Sequence, residues 1–339
     1  MTTDIILHSE PSALAVAGHV ANDHAARQVF NEYRARLAPS TRRRQDAGLA
    51  LFAEYLGAVG LSIDANELTS NATAWHGVTW GLVTGFCRWM LGKGYAIGTV
   101  NVRLATIKSY CKLAAQARAI APDTLALIQT VKGYSTKEGR NLNEQRAVTR
   151  LGHKAAAPVP ITTEQARTLK AQRTDVPQSR RDGLLMALLL DHGLRVGEVE
   201  GLSVGAIDLK AGTLTFYRSK VDKVQTHRLT ADSQRAAMLY LQQDTPPADG
   251  PLMMGSEQSG ALVGTMGARA MRERVRVLGK AEGLKALSPH DCRHYWATVA
   301  MRNGTDVKAL QEAGGWASPA MPLRYAEAAR IANEGVKLG

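Results

Sequence analysis

The sequence predicts a mainly α protein of the α+β kind: an N-terminal helical bundle, then a mostly helical second domain with a small antiparallel sheet. Three observations carry this. A chain of 339 residues, 45% hydrophobic, is long for one domain and comfortable for two. Helical periodicity marks 26–58 and 78–119, whereas only "GTLTFYRSK" (212–220) alternates as a strand, with "VQTHRLT" (224–230) placed to return as its hairpin partner. Between the halves, "GYSTKEGRNLNEQRAVTRLGHKAAAPVP" (133–160) loses periodicity, gains charge and closes with two prolines.

Taken in order, residues 1–25 are small, polar and weakly patterned, and predict a flexible arm. Helical patterns over 26–58 and 78–119 define a first domain at 26–135. In "TWGLVTGFCRWMLGKG" (79–94), Trp80, Val83, Phe86, Cys87 and Met90 fall at helical spacing, and Gly92 and Gly94 end the run. In the segment 98–116, Val100, Leu104, Ile107, Cys111 and Ala114 share one stripe, leaving Lys108 and Lys112 off it as cations free to meet an anionic partner. A linker spans 136–160 and a second domain 161–339. That domain holds a buried helix at about 180–191, the hairpin with Leu214 and Phe216 on one face, and helices at about 232–243, 265–282, 289–302 and 306–313.

Composition excludes several classes. The longest strongly apolar run, "LLMALLL" (184–190), is too short to span a bilayer. The segment "MTTDIILHSE" has no basic region ahead of its apolar residues, unlike a signal peptide. Cys87, Cys111 and Cys292 are odd in number and widely spaced, which predicts reduced thiols in a cytoplasmic protein instead of a disulfide framework. The net charge is +12, and all 42 Lys and Arg residues lie beyond residue 26. Such an excess favours a polyanionic partner. No basic amphipathic helix carries the aromatic face that a membrane surface would want, so no membrane partner is expected.

In "TMGARAMRERVRVLGKAEG" (265–283), Arg269, Arg272, Arg276 and Lys280 share one helix face, opposite Met271, Val275 and Leu278. Like charges at this spacing weaken an isolated helix slightly. A phosphate backbone along the face would reverse that cost, whereas the bland alternative is an ordinary solvated surface.

"SPHDCRHYW" (288–296) poses the main question, whether this is a metal site or a grip on an anion. Ser288 suits an N-cap and Pro289 the first helical position, so His290 enters a helix within its first turn. A zinc reading would pair His290 with His294 at i and i+4. Asp291 stands where that motif wants Glu, Arg293 would set a cation beside the metal, and Cys87 and Cys111 lie in the other half, so no metal and no cofactor is expected. An anion grip draws on more of the chain. "DHGLRVGEVEGL" (191–202) sets Arg195 beyond the buried helix, with Glu198 three residues on to orient it, and "GGWASPAMPLRYAEA" (314–328) presents Trp316 and Tyr325.

This ordered set resembles the signature of the tyrosine recombinases, or phage integrase family: Arg, Lys, His-x-x-Arg, His or Trp, Tyr. The resemblance covers the whole chain in architecture, with its specific motifs between about 191 and 326. It implies a core-type DNA-binding bundle followed by a catalytic domain. The lysine belongs in the hairpin turn, where Lys220 is preferred to Lys223 by its distance from the closing "HRL". Trp316 departs from the usual His, as in Cre-like and Flp-like members. An indole donates one hydrogen bond and packs but takes no proton, so its role stays open between bonding the phosphate and buttressing the site. Pro322 is either a first-turn proline or a break in the nucleophile's helix.

The resemblance further implies roles. Arg195 and Arg293 would neutralise the scissile phosphate, Tyr325 would attack it, His290 would take the tyrosine proton, and Lys220 would protonate the leaving 5′-oxygen. Glu198 would support Arg195; His294 is left structural. Partners would be double-stranded DNA and three further copies of the chain in a tetramer, with an accessory bending or directionality protein possible, acting at the nucleoid. Residues after Tyr325 are expected to form a short helix docking on a neighbouring protomer. A type IB topoisomerase and a non-cleaving DNA-binding protein remain the alternatives.

Overall fold

The computed structural model describes residues 12–151, 157–244 and 246–329, with side chains in the last helix as far as Tyr325. The chain divides into two compact units, Met1–Lys154 and Ala155–Gly339.

The first unit is built of α1 (Ala13–Ala35), α2 (Pro39–Ala58), α3 (Ala65–Ser70), α4 (Trp80–Gly92), α5 (Ile97–Gln116), α6 (Pro122–Thr130) and α7 (Thr136–Glu144). The apolar stripe of α5 is buried along its whole length. The core is aromatic: Phe52 lies 5.1 Å from Phe86 and 5.9 Å from Trp75, which in turn lies 5.9 Å from Tyr110. The Trp75 indole N–H donates to the Leu68 carbonyl (3.1 Å), so burying its polar tip leaves no donor unpaired.

Four expectations are corrected here. Residues 13–25 belong to α1, not to a free arm; the Ser12 hydroxyl caps the helix, alanine favours it, and burial of Phe30 anchors its distal half. The segment 136–144 is helical, not linker, because Ser135 and Glu138 close a capping box. Trp80, at the first position of α4, is 52% exposed and stands outside the core. Lys108 does not face outward. Its ammonium donates to the carbonyls of Gln129 (2.7 Å) and Val131 (2.9 Å), satisfying acceptors that the end of α6 leaves free. Lys112 is exposed.

The second unit comprises α8 (Thr163–Lys170), α9 (Pro177–Asp191), α10 (Val196–Glu200), β1 (Ile207–Asp208), β2 (Thr213–Arg218), β3 (Lys223–Arg228), α11 (Ala231–Asp244), β4 (Met254–Ser256), β5 (Leu262–Thr265), α12 (Ala268–Ala281), α13 (Pro289–Arg302), α14 (Val307–Gly314) and α15 (Ala320–Ala329). Helix α9 is central, with α8, α11 and α13 packed around it. Its residues 181–190 are all buried, which explains an apolar run without amphipathic period. The run begins with a buried ion pair, Arg181–Asp182, to which Arg274 adds a second guanidinium at 2.6 Å.

Strands β1–β2–β3 form an antiparallel sheet in which Leu214, Phe216 and Arg218 of β2 point inward. A second antiparallel pair, β4–β5, takes Leu262–Thr265, so α12 starts three residues later than its sequence pattern suggests. No helix among the described residues is long and apolar enough to cross a membrane.

A candidate anion-binding active site

Arg195 is placed by the turn between α9 and α10. Gly193 takes a left-handed φ of 58°, and a Cβ there would lie 2.3 Å from the Trp296 ring, so glycine is required on both counts. Arg195 then caps α10. Its backbone N–H donates to Glu198 Oε2 (2.8 Å) and its Nη1 to Glu198 Oε1 (2.7 Å), while Nη2 reaches the Gly315 carbonyl at 3.2 Å. Glu198 thus fixes the guanidinium from behind.

On α13, the residues of "HDCRH" separate by role. Asp291 closes a capping box with Ser288 and accepts the Val159 N–H at 3.1 Å. Cys292 is fully buried in the core, and burial pushes its thiol far up. His294 packs edge-on against Tyr325, with ring centroids 5.0 Å apart. That leaves His290 exposed and Arg293 buried on the site's side of the helix. Arg293 donates to the carbonyls of Gly193 and Gly314, and its guanidinium carbon lies 4.4 Å from the Trp316 ring centroid. Burial lowers its pKa, and the cations of Arg195 and Arg218 act in the same direction. An incoming anion relieves that strain.

Lys220 stands exposed in the turn between β2 and β3, whereas Lys223 lies in β3, opposite Arg218. Helix α14 ends at Gly315 with φ 59°. Trp316 follows, stacked on Trp296 (6.1 Å, 27°) and tilted against Tyr325 (5.8 Å). Tyr325 is 3% exposed. Burial raises its pKa, while Arg293, Arg195 and Arg324 pull the other way. Pro322 occupies the first turn of α15, where its missing N–H has no helical partner to lose, so the helix is continuous through Tyr325. Residues 330–339, expected to dock on a neighbour, lie outside the described residues.

Arg195, Lys220, His290, Arg293, Trp316 and Tyr325 all line one cavity of about 430 Å³, completed by Val221, Gly315, Ala317 and Met321. Two guanidinium groups, an imidazole, an ammonium and a phenol around one space suit a tetrahedral oxyanion. One participant went unread in the sequence: Arg218, fully buried, whose guanidinium bonds both oxygens of Glu198. The signal was present, since Arg218 continues the inward alternation of Leu214 and Phe216, and an inward arginine demands a buried acceptor.

Away from the cavity, Arg269, Arg272, Arg276 and Lys280 are exposed on α12, while Met271, Val275 and Leu278 are buried. One of the four cations is partnered within the helix, because Arg276 pairs with Glu273 three residues before it.

A mainly helical chain in two units, the second holding a cationic cavity beside a buried tyrosine, has the arrangement needed to hold a phosphate-like anion next to a nucleophile. Residues 160–330 match the phage integrase family, and the chain belongs to that family, the tyrosine recombinases. Among curated relatives, the tyrosine recombinase XerD of Neisseria meningitidis serogroup B is 30% identical over 185 residues, 53% of this chain and 62% of the relative. XerC of Azotobacter vinelandii is 33% identical over 213 residues, 59% and 67% of the two chains. The matched stretch thus spans under two thirds of the XerD relative's length. Among solved structures, a lambda integrase dimer bound to a COC′ core site superposes with a TM-score of 0.58 at 14% identity, covering 92% of this chain and 97% of that one. The Tn1549 transposon integrase in complex with circular intermediate DNA gives 0.56 at 17%, covering 88% and 94%. At these identities the two structures speak to the fold.

Proposed function

We propose that this chain is a site-specific DNA recombinase that breaks and rejoins strands through a 3′-phosphotyrosyl intermediate, without metal or nucleotide cofactor. The observation that carries the reading is the convergence of Arg195, Lys220, His290, Arg293, Trp316 and Tyr325 on one cavity. Tyr325 Oη attacks phosphorus and its proton passes to His290. The bond from phosphorus to the 5′-oxygen breaks, and Lys220 supplies the proton that oxygen needs. Arg195 and Arg293 hold the non-bridging oxygens and offset the charge that builds on them. The phosphotyrosyl ester retains the energy of the broken bond, so attack by a 5′-hydroxyl religates the strand.

Double-stranded DNA is the substrate, with Lys112 of the first unit and Arg269, Arg272 and Lys280 of the second as phosphate contacts. Exchange between two sites calls for four copies of the chain and passes through a Holliday junction, in the cytoplasm at the nucleoid.

The test uses nicked duplexes tiled from the DNA flanking the gene, incubated without divalent metal and run on a denaturing gel. A covalent protein–DNA band is expected for the wild type and not for Tyr325→Phe. A band surviving in that variant moves the nucleophile elsewhere, and specific binding without any band marks a protein that does not cleave. Relaxation of plasmids with no recombinant product points instead to a topoisomerase.

A further inference from the structure

Arg218 is the last residue of β2 and has no side-chain exposure. Its guanidinium joins segments that are distant in sequence. Nη1 donates to Glu198 Oε1 (3.0 Å) and Oε2 (2.9 Å) and lies 3.2 Å from the Gly314 carbonyl. Nη2 donates to the Ala313 carbonyl at 2.6 Å, and Nε to the side-chain oxygen of Gln225 on β3. Gln225 in turn donates to the Glu312 carbonyl (2.7 Å). The acceptors from α14 are carbonyls of its C-terminal turn, which carry the negative end of the helix dipole.

Each of these contacts bears on the cavity. Glu198 is the same carboxylate that orients Arg195. Gly314 presents the same carbonyl that Arg293 uses. Lys220 follows Arg218 by two residues and stands exposed in a turn where Val221 alone is partly buried, so the base of the hairpin largely sets where its ammonium stands. Burying an arginine is costly unless its donors are used. Here they are spent on tying that base to the arginine clamp.

We propose that Arg218 is the positioning residue for Lys220: it fixes the hairpin against Glu198 and the end of α14, so that the lysine meets the leaving oxygen while Arg195 and Arg293 hold the phosphate. This rests on the strand-cleavage reading above. Two simpler roles make different predictions. A purely structural arginine would alter stability alone, and one acting only through Glu198 would behave like the loss of Arg195.

The experiment compares the duplex on which the wild type forms its covalent band with the same duplex carrying sulfur in place of the bridging 5′-oxygen. A thiolate leaves without a proton, so the sulfur duplex needs no general acid. On the oxygen duplex, Lys220→Ala and Arg218→Met should both slow covalent-complex formation by about 10²-fold. On the sulfur duplex both should return to within about tenfold of wild type, while Arg195→Ala stays slow on both, because the clamp is still needed. Arg218→Lys keeps a cation beside Glu198 and therefore the fold, yet lacks the fork that reaches Ala313 and Gly314. It should be slowed less on oxygen and fully restored on sulfur, and it carries the comparison if Arg218→Met melts below the assay temperature. Arg218 variants that cleave the oxygen duplex at the wild-type rate, or that stay slow on sulfur as Arg195→Ala does, overturn the proposal. A wild type that forms a covalent band on none of the tiled duplexes rejects strand cleavage itself, and the proposal with it.

Discussion

The guanidinium carbon of Arg293 lies 4.4 Å from the centroid of the Trp316 indole, and Trp296 stacks on the same indole at 6.1 Å. A desolvated cation over an indole is stabilised by about 2 kcal/mol. The contact would let Trp316 act without a hydrogen bond, by packing against a buried arginine at the wall of the cavity.

Trp316→Phe, which keeps an aromatic face and loses the N–H, should therefore retain most covalent-complex formation. Trp316→Ala should lose about 3 kcal/mol of stability in urea titration, and cleavage with it. A Phe variant as inactive as Arg293→Ala would show that the indole N–H is what matters.

Lys108 and the α12 cations separate by salt dependence. Arg272→Ala or Lys280→Ala should lower the slope of log K against log salt by about 1 if that residue meets phosphate. Lys108→Met should leave the slope unchanged and cost about 1 kcal/mol of stability, because its ammonium caps α6. Glu273→Gln, which releases Arg276, should tighten DNA binding at low salt. Filter binding across a salt series measures all three.

Gly315 should tolerate no side chain. A Cβ there would sit 2.4 Å from Arg218 Cδ, at a left-handed φ of 59°. Gly304 also has a positive φ, 82°, but has nothing within 4 Å of its added Cβ. Gly304→Ala should cost about 1–2 kcal/mol from the backbone alone, and Gly315→Ala distinctly more, with cleavage lost. Equal melting temperatures for the two would mean that Arg218 gives way.

His192 and His227 lie 5.7 Å apart behind the site. Burial lowers both pKa values to about 4; Arg218 adds to this for His227, while Asp191 opposes it for His192. The unfolded chain, with histidines near 6.5, binds more protons between those values. Stability is thus complete above about pH 6.5 and falls as pH drops toward 4, by on the order of 2 kcal/mol for each histidine. Melting temperatures from pH 7.5 to 4.5 should trace this loss, and His227→Gln should flatten it. A curve unchanged by the substitution would assign the acid sensitivity elsewhere.

Much of the site was legible because the reacting types recur in fixed order at helix and turn boundaries that the sequence itself marks. Ser288 and Pro289 start α13, Gly193 precedes Arg195, and Gly314 and Gly315 precede Trp316. What escaped were matters of direction. Lys108 looked free because it lies off the apolar stripe of α5, and only the approach of α6 gives its ammonium two carbonyls. Residues 13–25 carry few large apolar side chains, so nothing in their periodicity announced a helix that a hydroxyl cap begins and the distal Phe30 secures.

By itself the sequence determined the family, the two-part helical organisation and the candidate set of site residues, because spacing and capping are local properties of the chain. The tertiary structure decided which cations are spent inside the protein. Arg218 joins Glu198 and α14, and Arg276 joins Glu273, while Arg195 and Lys220 face one cavity. Charge and type are written in a residue; whether its donors find a carboxylate, a carbonyl or an open cavity depends on segments that approach it only once the chain has folded.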